Sequence, residues 1–148
     1  GTRLPNHICK GPSIMTSTTK RRSRGNMSNV ALADLGEQIN TVFRAFADST
    51  RLRILHRLVD DEICVGDLVE ILQLPQPTVS RHLAYLRKAH LVDVRKEGLW
   101  SYYSLAPAQS CFQQKLYDCL TDCFNEVPEL RDDALRAQQL KESGGCCE

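Results

Sequence analysis

The sequence predicts a mainly α-helical domain with one small β-hairpin, arranged as a winged helix-turn-helix. Three observations carry that prediction. Apolar residues recur at helical spacing through four consecutive segments between residues 30 and 89. The last two segments are joined by the short Pro-containing turn Gln73-Leu74-Pro75-Gln76. The period then changes to two over Leu91–Lys96 and Trp100–Leu105, on either side of Gly98.

The elements follow in order. Residues 30–46 place Leu32, Leu35, Ile39, Val42, Phe43 and Phe46 at helix spacing. Asp48 is placed to cap the next helix, 49–59, whose inward face is Leu52, Leu55, Leu58 and Val59. Asp60-Asp61-Glu62 breaks the chain. A third helix, opened by Cys64 within residues 63–72, turns Val65, Leu68, Val69 and Leu72 inward. The fourth, 77–89, begins at Pro77, where a missing N–H costs nothing. Glu97-Gly98-Leu99 is the hairpin turn, with Gly98 able to take a positive φ. Pro107 opens a last long helix, about 108–125, and Pro128 ends it or starts a short helical continuation. The expected division is a disordered basic tail over 1–29, a folded domain over 30–126, and a flexible tail over 127–148 that carries a cysteine pair. Met15 and Met27 are both candidate starts, so part of the leader need not be native.

A chain of 148 residues is one ordinary domain plus tails. No stretch approaches the roughly 18 apolar residues of a membrane span, and no apolar signal core follows the basic N-terminal residues; a cytoplasmic protein is expected. Seven cysteines in that setting suit free thiols, soft-metal ligands or redox sensing better than a disulfide framework. The net charge of +1 is unevenly divided. Residues 1–29 carry six cations and no acid, residues 30–75 are net −4, residues 76–105 net +3 and residues 106–148 net −4. Apart from the leader, positive charge gathers on the fourth helix and the hairpin, the footprint of a phosphate-binding surface on an acidic body.

The fourth helix divides cleanly. Val79, Leu83, Leu86 and Ala89 point inward. Thr78, Arg81, His82 and Tyr85 share the opposite face, with Gln76 and Ser80 near its N-terminal end. In a helix-turn-helix that end faces base edges in the major groove. Gln reads adenine, Arg reads guanine, and Thr or Ser serves bases or phosphates. Arg95 and Lys96 on the hairpin are expected to meet phosphates near the minor groove.

At this point the chain resembles the ArsR/SmtB family of metal-responsive repressors, from about residue 38 to 124. The likeness rests on Phe46-Ala47-Asp48-Ser49-Thr50-Arg51-Leu52-Arg53-Ile54-Leu55, Gln76-Pro77-Thr78-Val79-Ser80-Arg81-His82-Leu83, Leu86-Arg87-Lys88-Ala89-His90-Leu91-Val92 and Glu97-Gly98-Leu99-Trp100-Ser101-Tyr102-Tyr103. The resemblance implies a winged-helix homodimer with its first and last helices packed across the two-fold axis. It also implies an operator-binding repressor, without enzymatic activity or an organic cofactor. His90 stands where the family usually has Gly, which puts a left-handed helix cap there in doubt. Ser49 stands where Pro is common.

Arsenic-sensing members carry Cys-Val-Cys-Asp at the start of the third helix; this chain has Cys64-Val65-Gly66-Asp67. One thiol matches and its partner is lost. Trivalent arsenic and antimony take three thiolates, so further sulfurs are required if As(III) or Sb(III) is the inducer. Cys146 and Cys147 follow Gly144-Gly145 and have no apolar helix to pack into; they are the expected partners of Cys64. Cys119 and Cys123 are the alternative, but they share the stripe of Phe112, Leu116, Leu120 and Phe124, which favours packing. A cadmium or lead site on the same sulfurs, or a redox or persulfide sensor using the cysteine pair, are the competing readings. Zinc or nickel sensing on the final helix is disfavoured, since no His follows His90.

Overall fold

The structure is a computed structural model that describes the backbone of residues 27–145 and the side chains of residues 34–145. The expectations for residues 1–26, for the side chain of Leu32 and for Cys146 and Cys147 lie outside the described residues. The elements are α1 (Met27–Phe46), α2 (Ser49–Leu58), β1 (Ile63–Cys64), α3 (Val65–Leu72), α4 (Gln76–Lys88), β2 (Val92–Glu97), β3 (Trp100–Leu105), α5 (Cys111–Asp122) and α6 (Pro128–Ser143). The strands form one antiparallel sheet in the order β1-β3-β2. No helix among the described residues is long and apolar enough to cross a membrane.

The core lies where α2, α3 and α4 meet. Ile54, Leu55 and Leu58 pack with Leu68, Leu72, Val79, Leu83 and Leu86, and Leu91 and Val92 extend this cluster to the hairpin. These are the inward positions set by the helical period, so removing apolar surface from water selects the packing. Asp48 caps α2 as expected, its carboxylate accepting the Arg51 N–H at 2.9 Å. Arg51 in turn reaches back, donating to the carbonyls of Ala45 and Arg44 in the last turn of α1.

The end of α4 resolves the doubt about His90. This residue adopts φ 59, a left-handed conformation, without being glycine. Leu91 N–H donates to Leu86 O and His90 N–H to Arg87 O, both at 3.0 Å, the bond pair of a Schellman cap. Leu91 is fully buried. Two backbone bonds and a buried leucine outweigh the ~1–2 kcal/mol strain of a left-handed residue with a side chain.

Two expectations need correction. Cys64 does not open a helix: it ends β1, opposite Tyr102, and is the N-cap of α3, which starts at Val65. More consequentially, residues 127–148 are not a flexible tail over most of their length. The helix expected to be last shortens to α5, Cys111–Asp122, and α6 follows, packed along α3 and α2 with Leu130, Asp133 and Ala137 buried. Pro128 starts this helix, and Gly144 ends it at φ 101.

Helix α6 is tied down at both ends. Near its start Asp133 is fully buried and meets two guanidiniums. Arg53 of α2 binds it with Nε and a second nitrogen, each at 2.8 Å, and Arg136 binds it at 2.5 Å. The same arginines donate onward to the last carbonyls of α3, Arg53 to Leu72 O at 2.8 Å and Arg136 to Ile71 O at 2.6 Å. At the other end Lys141 pairs with Asp61, and Gly145 lies against Asp67 so closely that a Cβ there would sit 3.3 Å from the carboxylate. Thus α6 braces the whole length of α3, the helix that precedes the turn into α4.

Candidate nucleic-acid interface and thiol site

On α4 the buried stripe is Val79, Leu83 and Leu86, which leaves the expected reading face outward. Gln76 and Arg81 are exposed, and Thr78 and Ser80 are half-buried beside them. His82 and Tyr85 are differently employed. The Arg51 guanidinium stacks over the Tyr85 ring at 4.0 Å. His82 Nδ1 lies 3.8 Å from the Asp48 carboxylate, an ion-pair distance. Burial nonetheless lowers the His82 pKa, so the contact is chiefly one to a neutral imidazole at neutral pH. Burial alone would raise the Asp48 carboxyl, but the Arg51 N–H and the Arg51 charge outweigh it and hold the group below its ordinary range. His82 and Tyr85 therefore orient α4 on α2, and Gln76 and Arg81 stay exposed beside them.

The wing also departs from expectation. Gly98, at φ 59, begins a two-residue turn between the paired residues Glu97 and Trp100. Arg95 is not presented outward as an open cation. It donates to Glu62 at 2.6 Å and to Glu97 at 2.6 Å, and lies over the Tyr102 ring at 4.6 Å. Its pKa is raised by the hydrogen bond to Glu62 and then by that to Glu97, while Glu62 is lowered by Arg95. Lys96 is exposed.

Cys64 is 1% exposed, and the Asp67 N–H at the start of α3 donates to its sulfur at 3.4 Å. Such a donor favours a thiolate over a thiol. Against the expectation of free thiols, Cys64 and Cys111 are each disulfide-bonded, so a thiolate at Cys64 follows reduction of its own disulfide. Cys119 of α5 and Cys123, the cap residue at its end, carry free thiols and lie next to each other. The hydrogen bond from this pairing raises the Cys119 pKa, with burial adding to it, which disfavours metal-binding thiolate there. Among the described residues no three His, Cys, Asp or Glu side chains gather to hold a metal ion. Cys119 and Cys123 thus lack a third ligand in that set. Beside Cys64, a cavity of about 300 Å³ is lined by Ile63, Asp67, Ile71, Tyr102, Leu140 and Gly145 among others.

One buried group was missed by sequence reasoning. Tyr117 of α5 accepts from Gln113 at 2.7 Å and donates to Ala106 O at 3.0 Å, fixing α5 to the end of the hairpin. The signal was its helical spacing to Leu120, the buried apolar residue three positions on.

Comparison with known proteins decides the identity of this arrangement. Residues 48–94, from the cap of α2 into the wing, match the profile of the bacterial regulatory proteins of the arsR family. The chain is 37% identical over 102 residues to the arsenic resistance transcriptional regulator ArsR1 of Pseudomonas putida, covering 68% of this chain and 78% of that protein. This chain belongs to the arsR family. It is a DNA-binding transcriptional repressor of winged-helix type, and the family consists of regulators, not enzymes. The arsenical resistance operon repressor of Escherichia coli is 41% identical over 86 residues, 57% of this chain and 74% of that protein. Among solved structures, a homodimeric winged helix-turn-helix DNA-binding domain from Mycobacterium bovis superposes with a TM-score of 0.55 at 27% identity, covering 71% of this chain and 92% of that one.

Proposed function

We propose that this repressor is released from its operator by trivalent arsenic or antimony bound to Cys64, Cys146 and Cys147 of one subunit. The observation that carries this reading is the docking of Gly145 against Asp67, beside the sulfur of Cys64. The residue after Gly145 is Cys146, and consecutive Cα atoms are ~3.8 Å apart, so covalent geometry favours ligation within a subunit. The arsenic-resistance regulators among its relatives support the choice of inducer. Cadmium and lead favour the same thiolates and are the alternative cargo. Gln76, Thr78, Ser80 and Arg81 then read the operator, with Lys96 on phosphate and His82 and Tyr85 holding the helix.

The working unit is a homodimer. Phe43 of α1 is 52% exposed and meets Phe112 of α5 edge-on at 5.1 Å, and Leu35 is exposed on the same helix. Such an apolar face on α1 and α5 suits a two-fold interface, as does the homodimeric relative.

X-ray absorption on the reduced, arsenite-loaded protein tests the ligand set. About three sulfurs per arsenic are expected, falling to about one when residues 146–148 are removed. Arsenite that leaves operator affinity unchanged, or a Cys64→Ser variant that responds fully, would overturn it. A second reading, a redox-sensing repressor, is favoured by the disulfide at Cys64. Oxidant that releases operator DNA reversibly, with arsenite having no effect, would select it.

A further inference from the structure

The wing ends in an unusual way for a DNA-contacting hairpin. Leu99, at its apex, is 100% exposed, and Trp100 beside it is 42% exposed. Nothing in the fold requires an apolar side chain there. Meanwhile Arg95 is neutralised by Glu62 and Glu97. Among the described residues of the hairpin Lys96 is the cation with no carboxylate partner. A wing built to grip phosphate would present the reverse.

The hairpin leaves α4 at its C-terminal end, since β2 starts at Val92 and α4 ends at Lys88. Six-residue strands extend about 20 Å at ~3.3 Å per residue. That length carries the tip past a major groove about 12 Å wide to the neighbouring minor groove. The size of the patch selects its partner. Two adjacent side chains offer roughly 400 Å² at most, well short of the ~800 Å² per partner of a stable protein interface. They do fit a minor groove about 6 Å wide, where leucine side chains act as wedges between base steps.

We propose that Leu99 enters the operator's minor groove as an apolar wedge, with Trp100 supporting it, and reads the deformability of the base step it meets. The wing then contributes shape readout, while α4 reads base edges. Pyrimidine–purine steps such as TA unstack easily and are preferred under the tip; stiff AA steps are disfavoured.

The test uses the full-length reduced protein and a duplex recovered with it from a random-sequence pool. Each flanking step is then set to TA or AA, and binding is followed by anisotropy across a salt series. Wild type should favour TA. Leu99→Ala should weaken binding to the TA duplex roughly tenfold and bring the TA:AA ratio near one, with the salt slope unchanged. Leu99→Met should keep the preference. Lys96→Ala should reduce the salt slope by about one and keep the ratio. Because Leu99 makes no buried contact, an unchanged melting curve should accompany its replacement. A TA:AA ratio retained in Leu99→Ala overturns the proposal. So does a loss of concentration-dependent self-association in Leu99→Ala, which would assign the tip to a protein contact.

Discussion

The two ends of α6 hold α3 by different physics. At its start a fully buried carboxylate is shared by Arg53 and Arg136, and both arginines continue to carbonyls at the end of α3. At its finish an exposed lysine meets an exposed aspartate, and a glycine lies against Asp67 where a side chain would crowd. The first end is costly to open, because separating buried charges leaves one unpaired. The second has little holding it, since exposed ion pairs contribute weakly. The proposed sensing chemistry lies at the second end, and the turn into α4 lies at the first. On that proposal a ligand is met at the end that yields and felt at the end that is locked to the reading unit.

This contrast can be broken. The largest effect is expected from Asp133→Ala, which strands two arginines: a loss of about 3–5 kcal/mol in urea denaturation. Asn at 133 keeps an acceptor and should cost less. Next comes Gly145→Ala, where φ 68 and the nearby Asp67 oxygen impose about 1–2 kcal/mol of strain. Arsenite should then release operator roughly tenfold less readily, while operator affinity without arsenite stays the same.

The locked end should also respond to pH. Burial, then the Arg57 charge, lowers the pKa of His56, against opposing contributions from Asn125, Asp60 and Asp133. A lowered histidine favours the neutral form in the folded state. Its stabilisation is complete above the ordinary value near 6.5 and is lost as pH falls below it toward the folded value. Thermal midpoints should drop as pH falls below about 6.5, and His56→Gln should flatten the decline. The smallest effect is expected from Lys141→Ala, no more than about 1 kcal/mol and reduced by salt.

The difference between the ends also marks what the sequence reveals. The reading unit was legible because its inward positions are apolar and periodic: Val79, Leu83 and Leu86 are buried where the helical period puts them. The cap at Asp48 and the turn at Gly98 were legible because each residue type has a local reason to be there. Helix α6 was not, because its buried stripe runs Leu130, Asp133, Ala137 and includes a carboxylate and a small side chain. A hydrophobic period fails where burial is satisfied by ion pairs. Pro128 at the start and Gly144-Gly145 at the finish were the available signs. Arg95 shows the same limit: its charge was visible, but the carboxylate facing it, Glu62, lies 33 residues earlier. The pairing of Cys119 with Cys123 was legible as well, because residues four apart share a helix face.

The contact between Gly145 and Asp67 also sets a local concentration. Cys146 and Cys147 are the next two residues, and two residues reach at most about 7 Å. Whatever Cys146 and Cys147 hold is kept within that radius of the start of α3. A tether so short corresponds to an effective concentration in the millimolar range or above. On the proposed reading the tail sulfurs compete for a soft ion against soluble cellular thiols by proximity, and the strength of that competition depends on how firmly α6 keeps its last turn in place.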